Sequence, residues 1–181
     1  MAARRNRLIV MLAACALLGA GALPAAGCSN SEARPMENGR YLVTARIKGE
    51  TFKLETALTE AERRLGLGGR AEVPVDGGMV FAFPPSQKRV QTFYMADCLV
   101  DIDIAYVDDT GRVVTMYTMP AEPPRGENES EWDYIDRLPL YSSRVPVRYV
   151  VELRAGTLRR LGVEQGDRVE MDWDWLKERA Q

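Results

Sequence analysis

From Tyr41 onward, apolar side chains recur at alternate positions in short runs separated by turn residues. That rhythm belongs to strands with one face buried. Tyr41, Val43, Ala45 and Ile47 share one face, Lys48-Gly49-Glu50 supplies a turn, and Thr51 to Thr56 returns with Phe52 and Leu54 aligned. Further runs at Met79 to Phe83, Val90 to Met95, Leu99 to Val107, Arg112 to Met119, Val145 to Leu153 and Arg168 to Trp173 read the same way. Asp108-Asp109-Thr110-Gly111 reads as a hairpin turn. The pattern predicts a mainly β fold, a single compact sandwich or barrel-like domain with one or two short helices. The helices are placed at Thr59-Glu60-Ala61-Glu62, a capping box, and at Thr157 to Leu161, with a terminal helical turn near Trp175 to Gln181. Ala121 to Arg137, with Pro123, Pro124, Gly126 and six acidic residues, reads as a long loop.

Cysteine use makes that core self-reliant. Cys15, Cys28 and Cys98 are the only cysteines. Arg4, Arg5 and Arg7 precede an uncharged run, Leu8 to Leu23, and then Pro24-Ala25-Ala26-Gly27-Cys28. This is the order of a signal peptide, here 1–27, and it resembles the lipobox of bacterial lipoproteins, with Cys28 as the acylated first residue. An uncleaved membrane helix and a plain signal peptide are the rival readings. Residues 28–39 are then a lipid-anchored flexible tether and 40–181 the globular domain. Cys98 would be left without an internal disulfide partner. Cleavage removes three Arg and no acid, so 21 basic and 26 acidic residues remain, a formal charge of −5. That balance disfavours nucleic acid as a partner.

The chain contains no histidine. Ser-His and Cys-His pairs and His-ligated zinc are therefore excluded. No Gly-rich phosphate loop or cysteine pair is present, and no cofactor is expected. What remains is carboxylate chemistry, oxygen ligation of calcium, or binding alone. In an extended strand Asp101 and Asp103 would share a face, where they could hold a cation or simply meet solvent or arginine. Cys98 would fall on the apolar face as an inert thiol. Gly66-Leu67-Gly68-Gly69-Arg70 offers an anion nest or a plain helix stop. Trp132 and Tyr134 could stack on a sugar or cover a sheet edge, and Ser142 reads first as a turn residue.

Several of these segments recur together in order. Gly78-Met79-Val80-Phe81-Ala82-Phe83 is followed by Phe93-Tyr94-Met95 and by Asp103-Ile104-Ala105-Tyr106-Val107-Asp108 with Gly111. Tyr141-Ser142 with Pro146, Tyr149-Val150-Val151-Glu152, Gly156 and Gly166-Asp167 complete the series. From about Phe52 to Val169 this resembles the bacterial and archaeal domain-of-unknown-function family 192. The resemblance implies a mainly β domain, sometimes exported or lipid-anchored, and no particular reaction. Arg70, Asp103, Tyr141, Ser142, Glu152 and Asp167 fall on matched positions, as a shared surface or as shared struts. The chain departs from the family at Gly68, at Tyr94, at Ala96-Asp97-Cys98 and at Asp101-Ile102, where the family carries Met, Trp, Lys-Asn-Thr and Pro-Leu.

The leading expectation is an envelope-anchored, non-catalytic binding or accessory domain. It would be held to the membrane through lipid on Cys28 and would meet a glycan, peptide or protein through Trp132 and the Asp101/Asp103 strand. One alternative is a carboxylate-based glycan hydrolase or lyase with Asp103 and Glu152 as acid and base, which requires a separation of roughly 5–9.5 Å. The other is a calcium-stabilised structural domain with Asp101 and Asp103 as ligands.

Overall fold

The computed structural model describes residues 33–181; the expected signal peptide and the expected lipidation site Cys28 lie outside them. Ten strands and four short helices follow one another in this part of the chain. β1 (Arg34–Pro35), β2 (Tyr41–Ile47), β3 (Glu50–Ala57), β4 (Gly77–Ala82), β6 (Ile102–Val107), β7 (Val113–Met119), β9 (Tyr149–Arg154) and β10 (Val169–Glu170) form one sheet. Its order is β1-β2-β3-β4-β9-β6-β7, with β10 beside β2. Every pairing is antiparallel except β3 with β4. That parallel step needs a crossover, and α1 (Glu60–Leu65) lies in it. Arg34 and Pro35 pair with Leu42 and Tyr41, so the C-terminal part of the 28–39 segment is docked on the sheet.

The sheet curls into a half-barrel. Its far edge returns toward the first where Val113 donates to the Asp167 carbonyl and Val169 to that of Gly111. Because β10 is paired to β2, these bonds tie the two edges together. Inside the curl, Ala45, Ile47, Phe52, Leu54, Val80 and Val151 form one apolar core. On the outer face Met79, Phe81, Ile102, Ile104, Tyr106 and Val150 form a second. A two-stranded ribbon of β5 (Arg89–Phe93) and β8 (Tyr141–Val147) covers that face. Two cores explain why β4 and β6 are buried at every position, as strands covered on both faces are.

The structure changes several sequence expectations. Val145 to Leu153 is two strands rather than one, because the chain leaves the ribbon at Val147 and joins the main sheet at Tyr149. The strand expected from Leu99 begins only at Ile102. Arg168 to Trp173 shrinks to a two-residue strand, since Asp172 caps α4 (Trp173–Arg179). The long acidic loop contains α2 (Glu131–Asp136), whose N-cap Ser130 accepts from the Asp133 amide. α3 (Thr157–Leu161) stands where one helical turn is expected. The Thr59/Glu62 capping box forms as read. Among the described residues no helix is long and apolar enough to cross a membrane.

Candidate functional site

Strand register fixes which carboxylates can meet. Across β6 and β9, Ile104 stands opposite Glu152 and Asp103 opposite Leu153. Directly opposed residues project to the same side of a sheet and neighbours in sequence to opposite sides. Asp103 and Glu152 therefore face opposite cores and cannot act as an acid–base pair, which removes the hydrolase or lyase reading built on that pair. Asp103 is buried, accepting from the Thr118 hydroxyl at 2.7 Å and the Leu158 amide at 2.8 Å. Asp101 is exposed in the loop before β6 and accepts from the Ala121 amide at 2.8 Å. They are not two carboxylates on one strand face, and no group of three or more Cys, Asp or Glu able to hold a metal ion occurs among the described residues. Asp103 anchors the start of α3. Its replacement by Ala strands a buried amide, so a loss of about 2–4 kcal/mol is expected in urea unfolding.

The remaining candidates disperse. Tyr134 is buried, and its hydroxyl accepts from the Asp97 amide at 2.8 Å, clipping α2 to the loop before β6. Trp132, on the same helix, is 82% exposed. The Ser142 hydroxyl accepts from the Arg144 amide, a turn bond. Tyr141 ends an aromatic series in which Phe81, Phe93, Tyr106, Tyr117 and Tyr141 meet edge to face, with centroids 5.1–6.3 Å apart. The Tyr106 hydroxyl donates to the Tyr141 carbonyl at 2.6 Å and the Tyr117 hydroxyl to that of Ser142 at 2.9 Å. These residues fasten the ribbon to the sheet. Asp167 pairs with Lys48 at 2.7 Å and accepts from the Glu164 amide.

Nor is Gly66 to Arg70 an open anion nest. Gly66 ends α1, the Gly69 amide donates to the Asp97 carbonyl at 2.8 Å, and Arg70 donates twice to Glu55, at 2.5 and 2.7 Å. Arg40 adds a third bond to Glu55 at 3.2 Å. Led by the Arg70 hydrogen bond, these partners hold the Glu55 carboxyl below its ordinary range.

What the structure does bring together is a cavity of about 440 Å³, between the end of α1, the ribbon and the loop before β6. Its size suits a small ligand. Phe81, Phe93 and Met95 wall it, Cys98 lies beside it, and Glu152 reaches it from the sheet. Leu65 and Tyr94, both largely exposed, stand at its margin with Arg64 and Arg89. Glu152 is only 5% exposed. Burial raises its carboxyl pKa to about 8, against the opposing charge of Arg70, and no hydrogen bond contributes. Among the described residues the other buried charged side chains, Arg40, Asp103 and Arg148, each make at least one side-chain hydrogen bond, although Arg148 Nη2 has none; Glu152 makes none. Cys98 is half-buried in the loop rather than on a strand face, and burial with the Glu152 charge pushes its thiol to about 11. A thiol so weakly acidic is no nucleophile near neutral pH.

The apolar walls of this cavity come from Phe81 on β4 and the Phe93-Tyr94-Met95 run, two of the ordered segments noted in the sequence. A family model described as "Uncharacterized ACR", DUF192, matches residues 43–171. The chain belongs to the DUF192 family. A UPF0127 protein of Thermococcus gammatolerans is 27% identical over 106 residues, 59% of each chain. This chain thus aligns with little more than half the length of that relative. A structure of a Novosphingobium aromaticivorans protein of unknown function superposes with a TM-score of 0.60 at 26% identity, covering 77% of this chain and 92% of that one. A Sinorhizobium meliloti protein, provisionally described as a transcription regulator, gives 0.53 at 30% identity over 73% and 92%. The family is one of unknown function, and both superpositions extend over most of the β domain.

Sequence reasoning missed the cavity because its walls come from segments far apart in the chain. One signal was available: Glu152 is the only charged residue in the run from Tyr149 to Leu153, an expensive place for a carboxylate without a partner.

Proposed function

We propose that this member of the DUF192 family is an envelope-anchored, non-catalytic binding domain that captures a small ligand in the Glu152 cavity. The supporting observation is Glu152 itself, a buried side chain that opens onto a roomy cavity with an aromatic wall and accepts no hydrogen bond among the described residues. Buried polar groups are ordinarily satisfied, and a ligand that supplies the missing partner would gain the bond and relieve the cost. The site lies away from Trp132, Asp101 and Asp103, so the reading keeps the binding role and moves its place.

The Cys98 thiol beside the cavity is held protonated by burial, and Glu60, the other acid that lines it, is engaged with Arg64, which favours capture over catalysis. The anchor rests on sequence: Cys28 follows the small residues of a lipobox-like leader. Several acyl chains on one cysteine would hold the domain stably at a membrane surface. Residues 28–39 would then form only a short spacer, because Arg34 and Pro35 already pair with β2.

Two measurements test the two parts. Fatty-acid label should enter the wild-type chain in bacterial cells and be lost in Cys28→Ser, with the protein moving to the soluble fraction. Unlabelled wild type would reject the anchor. For binding, amide chemical shifts of the purified chain are followed as small-molecule envelope extract is added. Changes should cluster at Phe93, Met95 and Cys98. Changes confined to Trp132 and its neighbours, or none at all, would reject the cavity as the site.

A further inference from the structure

Resting on that reading, we infer that the cavity selects a small zwitterion with an apolar body, its ammonium group directed to Glu152 and its carboxylate to the arginine margin. Three features of the same cavity carry the inference. The first is Glu152, an acid that accepts no hydrogen bond among the described residues, which leaves its oxygens for a donor on the ligand. A ligand ammonium supplies up to three N–H donors and a positive charge that favours the ionised carboxylate, so its binding near pH 7 releases the Glu152 proton to solvent.

The second feature is the aromatic wall. Phe81 and Phe93 stand edge to face at 5.1 Å, and Met95 lies beside them. An apolar side group would be covered here, and the negative faces of aromatic rings favour a nearby cation. The cavity already contains one such contact, the Arg63 guanidinium 4.9 Å above the Phe83 ring. Both terminal nitrogens of that arginine already donate, to the carbonyls of Leu58, Ala82 and Gln181 and to Gln87 Oε1, so recognition is assigned to other residues.

The third is the imbalance of charge at the margin. Arg64 and Arg89 are both exposed there, and Glu60, the acid nearby, is engaged with Arg64 at 2.9 Å. Arg89 makes no salt bridge among the described residues. A ligand carrying only a cation would meet this margin unfavourably; one carrying only an anion would leave Glu152 unpaired. A zwitterion satisfies both ends. Gly66 and Gly68 keep the α1 side of the cavity free of side chains, and a Cβ at Gly66 would already touch the Phe81 ring at 3.5 Å.

The test compares three probes of one shape by calorimetry on the full chain near pH 7: phenylalanine, phenethylamine and 3-phenylpropanoate. Phenylalanine should bind tightest, with each deletion weakening binding about tenfold or more, the span of one charge-assisted bond. Glu152→Gln should weaken phenylalanine and phenethylamine by about tenfold and leave 3-phenylpropanoate unchanged. Arg89→Gln should show the converse. The thermal melt of each variant is recorded first, so that lost binding is not mistaken for lost fold. Equal affinity for phenylalanine and 3-phenylpropanoate, or an indifferent Glu152→Gln, overturns the inference. So does failure of all three probes, and in that case cavity shifts with envelope extract would leave the binding reading standing and sink only the ligand class.

Discussion

Glu152→Gln is expected to stabilise the chain by on the order of 3–5 kcal/mol near pH 9 while changing little near pH 4. The sign follows from where the proton sits. An exposed Glu releases its proton around 4.5, whereas Glu152 in the folded chain holds it to about 8. Between those values the folded state binds a proton that the unfolded state has released, so raising the pH draws the equilibrium toward unfolding. Gln cannot titrate and carries no such penalty. The groups around it do not obscure the effect. Cys98 and Tyr106 are both raised beyond the window, and the Glu55 carboxyl is lowered below it. Arg70 stays charged throughout. The chain has no histidine, and the Cys98 thiol, which titrates near 9 once unfolded, is present in both proteins and enters both curves. Urea midpoints for both proteins across this range should diverge with rising pH. Parallel curves would mean that Glu152 is solvated, and the cavity argument would lose its main support.

The same residue shows what could be read from sequence and what could not. The β2–β3 hairpin was legible because Val43, Ala45, Phe52 and Leu54 alternate on one buried face. The α1 start was legible because Thr59 and Glu62 satisfy each other locally. Both depend on neighbours within a few residues. α2 was hidden by the prolines and acids of its surroundings, although Ser130 and Asp133 held the capping signal. The break at Arg148 was hidden because Val147 and Tyr149 are equally apolar while belonging to different sheets. Pairing Asp103 with Glu152 failed for a different reason. Their separation in sequence says nothing about the β6–β9 register, and a shift of one residue moves a side chain to the other face. Sequence identified polar residues worth attention; only register decided which of them share a space.

Register also makes Gly78, among the described glycines, the one where an added Cβ would come closest to a neighbouring atom. Gly78→Ala is expected to cost about 4 kcal/mol or more, lowering the melting temperature by roughly 10 °C or preventing folding. On β4, Gly78 lies opposite Leu153 of β9 and Leu54 of β3. A Cβ there would overlap the Glu152 carbonyl oxygen and come within 3.0 Å of the Leu153 Cδ2. Backbone cannot swing aside as a flexible side chain can, so relief requires β9 to move away from β4, in the middle of the sheet and between two packed cores. That movement would displace the backbone that carries Glu152. Any folded Gly78→Ala protein should therefore show shifted amide resonances at Phe93, Met95 and Cys98 as well as lower stability. Gly126→Ala is the matched control. There an added Cβ meets Glu129 at an ordinary 3.6 Å, and a change within about 0.5 kcal/mol is expected. If Gly78→Ala melts like Gly126→Ala, β9 is not held against β4 by close backbone contact, and the placement of Glu152 must depend on the loop and ribbon that cover it.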